Sequence, residues 1–205
     1  KETSGNFEKL CVNLLKPLPT YYAEALHDAM EGIGTEEEVL IEVMCGLSNR
    51  EVQAVTYTFQ QMYGMSLEDA LKSETSNCFK RILVSLSTGN RDETNNTNIE
   101  SAKNDAQCLK DAGIGRMGTD ESEFNRILCL RNNAQIRLIA QEYERLTGHT
   151  LEKDIKKEFS GDVETAMVSV LRCAMNRSLF FAKRLNKAVD GFGTDDASLI
   201  RLVSH

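Results

Sequence analysis

The residues best placed to do chemistry in this chain are glycines and acids. The stretch GIGTEEEVLIEV (32–43) recurs as GRMGTDESEFNRI (115–127) and as GFGTDDASLIRL (191–202). Glycines let a loop turn its carbonyl oxygens inward, and a hard cation such as Ca²⁺ takes oxygen ligands. Carbonyls alone do not neutralise a divalent ion, so a carboxylate must come from elsewhere. The sequence offers one at a fixed offset: Thr35 to Glu74 and Thr119 to Glu158 both span 39 residues. Equal offsets let the same acid fold back onto the same loop in two units. A plainer reading is helix capping. Thr35 with Glu38 fits the T-x-x-E capping box, and the glutamates suit the positive end of a helix. That reading explains the threonine and the acids but needs one glycine, not two.

The elements that must position these loops are repeated helices. A second marker recurs as KETSGNFEKL, SETSNCFKRIL and KEFSGDVETAM, carrying Glu2, Glu74 and Glu158. Two markers moving in near step indicate duplicated units. Phe79, Ile82, Leu83 and Leu86 follow the i, i+3, i+4, i+7 spacing of a buried helix face. Ile136, Ile139, Ala140 and Tyr143 do the same, as do Val163, Met167, Val170 and Leu171. Val52, Val55, Phe59, Met62 and Tyr63 form a similar face closed by Gly64, and Gly148 closes the matching helix of the next unit. Each unit reads as five short helices, near 19–30, 36–46, 49–63, 67–74 and 76–87 in the first complete one. Thr88 to Asn98 is polar and aperiodic and reads as a linker. The expected fold is all-α. Its organisation is the tail of one unit (1–16), a full unit (17–87), a linker (88–99), a second full unit (100–175) and the start of another (176–205).

Composition excludes several classes. A net charge of −7 argues against nucleic-acid binding and against holding anionic lipid by a basic patch. The six cysteines are widely spaced with no CxxC pair, so a zinc site is not expected and they read as small hydrophobes. No signal peptide or membrane-spanning run is evident, which points to a reducing, cytoplasmic setting. Two glycosylation sequons, at Asn95 and Asn176, therefore read as chance. His27, His149 and His205 stand apart in the sequence, and no catalytic triad is recognisable, so no enzyme is expected. The Lys153–Lys157 run reads as a solvated helix face, and no EF-hand loop is present.

From Pro19 to Leu86 the chain resembles an annexin repeat, in ALHDAMEGIGTEEEVLIEVMCGLSNREV and YGMSLEDALKSETSNCFKRILVSL. AGIGRMGTDESEF resembles the third repeat of that four-repeat family, and KAVDGFGTDDASLIRLVS the start of the fourth. The resemblance implies the annexin core, a curved disc with calcium loops on its convex face. It also implies type II calcium sites. One would use the carbonyls of Met30, Gly32 and Gly34 with the Glu74 carboxylate. Another would use Gly113, Arg116 and Gly118 with Glu158. The third loop, Val189, Gly191 and Gly193, is incomplete, because its acid would fall past His205, and Glu2 matches the acid of a site whose loop would precede residue 1. Two departures stand out: Glu31 where the family often has a basic residue, and Ile114 where it often has an acid.

These features together lead to calcium-dependent binding of anionic phospholipid. The ion, held by few charged ligands, keeps positions open for lipid phosphate, and two sites on one body add avidity. Ile33, Met117 and Phe192 sit at loop tips, where they could dip into the membrane interface or simply pack against the loop. The alternative is a calcium-independent helical scaffold for a protein partner. The remnant helices Phe7–Leu15 and Leu179–Val189 are expected to expose apolar faces that invite a protein partner or self-association.

Overall fold

The computed structural model describes residues 4–115, 117–190 and 193–204. Glu2, Arg116, Gly191, Phe192 and His205, all singled out above, lie outside the described residues. Within them the chain forms thirteen α-helices and no strand. One helix, α1 (Gly5–Leu15), precedes five: α2 (Leu18–Asp28), α3 (Glu37–Gly46), α4 (Asn49–Tyr63), α5 (Leu67–Glu74) and α6 (Asn77–Ser87). A second set of five follows: α7 (Ile99–Ala112), α8 (Glu121–Leu130), α9 (Asn133–Thr147), α10 (Leu151–Glu158) and α11 (Gly161–Met175). Two further helices close the chain, α12 (Arg177–Val189) and α13 (Asp196–Val203).

The stripes read from periodicity form one continuous core. Phe79, Ile82, Leu83 and Leu86 are buried with Val55, Phe59, Ile136, Ile139, Tyr143, Met167, Val170 and Leu171. Tyr63, Ala140 and Val163 are half-buried, and Met62, at the last turn of α4, is exposed. α11 packs on α3, α6 and α8, so it joins the two five-helix sets. α4 opens with a capping box between Ser48 and Glu51, and α4 and α9 both stop at a left-handed glycine, Gly64 and Gly148.

The capping box expected at Thr35 and Glu38 does not form. α3 begins at Glu37, and its N-cap, Glu36, makes no side-chain cap bond. The Thr35 hydroxyl instead donates to the Glu74 carbonyl at 3.2 Å. Glu38 takes Lys187 at 2.7 and 2.9 Å.

Two regions are more firmly tied than their sequences suggest. The 88–98 segment is stitched to both five-helix sets. Arg91 Nη1 donates to the carbonyls of Leu128 and Arg131, Asn49 bonds the Arg91 backbone, and Asn132 Nδ2 reaches Asp92 and the Asn96 carbonyl. α12 is likewise seated. Phe180 and Ala188 are buried, although Leu179 and Val189 are half-exposed. The Phe181 ring lies so close to Gly46 that an added Cβ there would sit 2.6 Å from it. Behind it, Glu42 is only 4% exposed and accepts from Arg184 Nε at 2.8 Å and Arg201 Nε at 2.6 Å. One buried carboxylate thus ties α3 to α12 and α13. The apolar face expected to be exposed on α12 is so in part: Leu179 and Val189 reach solvent while Phe180 and Ala188 are covered. α1 does present Phe7, Val12, Leu14 and Leu15 to solvent and buries none of its residues.

Candidate metal centre

Three loops share one construction. In each, a backbone bond closes the neck between the end of one helix and the start of the next. Glu36 N donates to Ala29 O at 2.8 Å, Asp120 N to Ala112 O at 2.7 Å, and Asp195 N to Ala188 O at 2.8 Å. The middle loop holds one residue more than the others. Inside the necks, Gly32, Gly34, Gly118 and Gly193 adopt φ of +103°, +92°, +80° and +99°. Side chains with a Cβ resist that backbone, so at Gly34 and Gly118 glycine is what lets the loop reverse its peptide planes.

The carbonyls of Met30, Gly32, Gly34, Gly113 and Gly118 accept no hydrogen bond among the described residues. Met30 and Gly113 are also buried, where an unpaired carbonyl is costly. Unpartnered oxygens clustered in a glycine bend fit a hard cation. Arg116, the remaining carbonyl expected in the second loop, lies outside the described residues.

The remote acids arrive at the same place in both units. Glu74 is the last residue of α5, and Glu158 is the last of α10. In the second unit Thr119 Oγ1 donates to Glu158 Oε2 at 3.1 Å. A Cβ added to Gly113 would lie 3.5 Å from Glu158 Cγ, so the acid's stem lies along the base of the loop. In the first unit Thr35 holds the Glu74 backbone instead, which leaves that exposed carboxylate unengaged. No Lys or Arg among the described residues neutralises either acid. Free carbonyls plus an uncompensated carboxylate are a donor set that suits Ca²⁺.

The loop tips point outward. Ile33 is 109% exposed and Met117 98% exposed. In the third loop Val189 is half-exposed and Gly193 has the positive φ of its counterparts, while Gly191 and Phe192 lie outside the described residues.

Several polar contacts were not read from the sequence. His27 does not stand apart: its Nδ1 lies 3.7 Å from Asp28 Oδ1 and 3.8 Å from Glu31 Oε2. The i, i+4 spacing of His27, in the last turn of α2, and Glu31, just past its end, was the available signal. Asp154, read as part of a solvated face, is 2% exposed; it accepts from Tyr143 Oη at 3.0 Å and lies 3.3 Å from His149 Nδ1. All six cysteines are free thiols, and burial pushes Cys129 up to about 12 and Cys45 higher still.

The comparisons with known proteins agree with this architecture. The Annexin family model matches residues 21–86 and 104–170. Human annexin A7 is 46% identical over 203 residues, which is 98% of this chain and 41% of that protein. The chain therefore spans about two fifths of that relative's length. The structure of annexin III superposes with a TM-score of 0.96 at 37% identity, over 99% of this chain and 63% of that one. A calcium-bound annexin (Sm)1 superposes with a TM-score of 0.88 at 31% identity, over 99% of this chain and 62% of that one. By the family match and these likenesses, the chain belongs to the annexin family.

Proposed function

We propose that this chain is a peripheral, cytoplasmic membrane-binding module that attaches to anionic phospholipid when calcium rises. The observation that carries the reading is the doubled arrangement, among the described residues, of unpartnered loop carbonyls beside a glutamate that no described Lys or Arg neutralises. One ion would be held by Met30, Gly32, Gly34 and Glu74, the other by Gly113, Arg116, Gly118 and Glu158. Bound there, calcium supplies a bridge between these oxygens and a lipid phosphate. A chain of net charge −7 needs such a bridge, because it would otherwise repel the surface. With one carboxylate per ion, affinity without membrane is on the order of 10⁻⁴ M or weaker. Lipid supplies the missing ligands, and the second loop adds avidity.

The family is known for calcium-dependent phospholipid binding and is generally non-enzymatic. Ile33 and Met117, fully exposed at the loop tips, would enter the interfacial region. Among the described residues no helix is long and apolar enough to cross a membrane. Cosedimentation with phosphatidylserine vesicles, with calcium and with chelator, tests the reading. Pelleting only with calcium supports it. Equal pelleting in both conditions, or none from a folded sample, favours the calcium-independent scaffold.

A further inference from the structure

We propose that His27, Asp28 and Glu31 form a second cation site, of a different chemical class, that takes Zn²⁺ or a similar borderline metal. The three side chains each present a ligand atom, and these atoms all lie within 4.8 Å of one another. His27 Nδ1 is 3.7 Å from Asp28 Oδ1 and 3.8 Å from Glu31 Oε2. A tetrahedral zinc with bonds of about 2.0–2.1 Å holds its ligands about 3.3 Å apart. The two histidine–carboxylate pairs therefore need to close by about 0.4–0.5 Å, and the two carboxylates, which lie within 4.8 Å of each other, by up to about 1.5 Å. Both carboxylates can make that move, being 76% and 71% exposed.

The imidazole is the fixed member. Its ring stacks on Tyr63 with centroids 3.8 Å apart and planes 8° from parallel, and it also lies beside Phe59. A ligand already oriented by packing loses little freedom on binding. The site's fourth position opens to solvent, because the two acids stand at the protein surface. The nitrogen sets its selectivity: imidazole suits zinc and copper, whereas calcium takes oxygen. None of the three side chains is a ligand of the proposed calcium loops, but Glu31 lies between Met30 and Gly32, so the zinc readout is kept separate from lipid binding. Zinc there would cancel the negative charge of Glu31 at the rim of the first loop.

The test is zinc titration of the full chain in about 1 mM calcium, followed by the His27 imidazole proton resonances and by calorimetry. Six free thiols also attract zinc, which is why the readout is at His27 itself. One equivalent of zinc should shift those resonances in excess calcium. In calorimetry, His27→Gln should remove one zinc per chain. The double variant Asp28→Asn/Glu31→Gln alters only exposed groups and should weaken that event by about tenfold or more; acidification should weaken it too. The Glu74→Gln/Glu158→Gln chain should bind zinc normally. Unmoved His27 resonances, displacement by calcium, unchanged stoichiometry in His27→Gln or a smaller loss in the double variant overturns the proposal.

Discussion

Thr119 Oγ1 lies 3.1 Å from Glu158 Oε2, so a hydroxyl in the second glycine loop holds an acid that arrives from 39 residues further along the chain. Its counterpart Thr35 reaches the Glu74 backbone carbonyl instead. The two units use the same residues for the same closure, but the first leaves its carboxylate freer. The loop with the extra residue presents its acid already seated.

That closure depends on backbone that only glycine accepts readily. At Gly34 and Gly118 a Cβ would meet nothing within 4 Å, yet φ is +92° and +80°. Gly118→Ala should therefore destabilise the chain by about 1–2 kcal/mol through conformation, not collision. It should also raise the calcium needed for vesicle pelleting. Urea unfolding and calcium-titrated cosedimentation measure the two effects. A variant with unchanged values in both would contradict the role given to the bend.

Met117 and Ile33 make a separable contribution. Each is a single exposed apolar side chain, so replacing it costs little stability. Partial insertion of a methionine contributes about 1 kcal/mol. Met117→Ser should weaken vesicle affinity by about fivefold, with the thermal midpoint unchanged. Vesicle titration at fixed calcium, paired with a melting curve, checks both parts.

Glu42 should matter far more to stability than to membrane binding. Glu42→Ala removes the carboxylate shared by Arg184 and Arg201, whose side chains are only 14% and 11% exposed, and leaves Arg184 to Glu38 and Arg201 to the Ser198 hydroxyl. Breaking a buried pair this way costs about 3–5 kcal/mol. Urea unfolding of the variant should show a loss of that size, and a loss under about 1 kcal/mol would contradict it.

Acid sensitivity has a traceable source in Glu152. Hydrogen bonding from Arg172 at 3.0 Å, with Lys156 at 2.9 Å, holds its carboxyl down to about 2. In the unfolded chain a glutamate titrates near about 4.3. The folded value is the lower one, so the stabilisation is fully present above about pH 4.3. It is lost as pH falls toward about 2. Glu152→Gln should therefore be less stable than the parent at pH 7, and the gap should shrink across that window. Unfolding midpoints at several pH values give the comparison.

Local signals made much of this legible. Period-3.6 stripes placed α4 and α6 within a residue of their observed ends, because each of these helices buries one face in a shared core. The equal offset of Thr and Glu pointed to the loop–acid closure. Thr35 was less legible, since capping and tethering ask for the same residue type and its partner lies 39 residues away. Glu42 was illegible for a similar reason. A lone acid in VLIEVMC reads as a solvent position until α12 and α13 fold over it. His27 was missed because Asp28 is its neighbour in sequence and Glu31 lies past the end of α2, so their approach depends on how the chain leaves the helix.

The central claim is that Glu74 and Glu158 complete cation sites that lipid phosphate then caps. Its most direct test is calcium-titrated cosedimentation with phosphatidylserine vesicles, comparing the parent chain with Glu74→Gln/Glu158→Gln at matched helical content. The account predicts that the double variant needs at least about tenfold more calcium to pellet. Coincident calcium curves for the two proteins would contradict it.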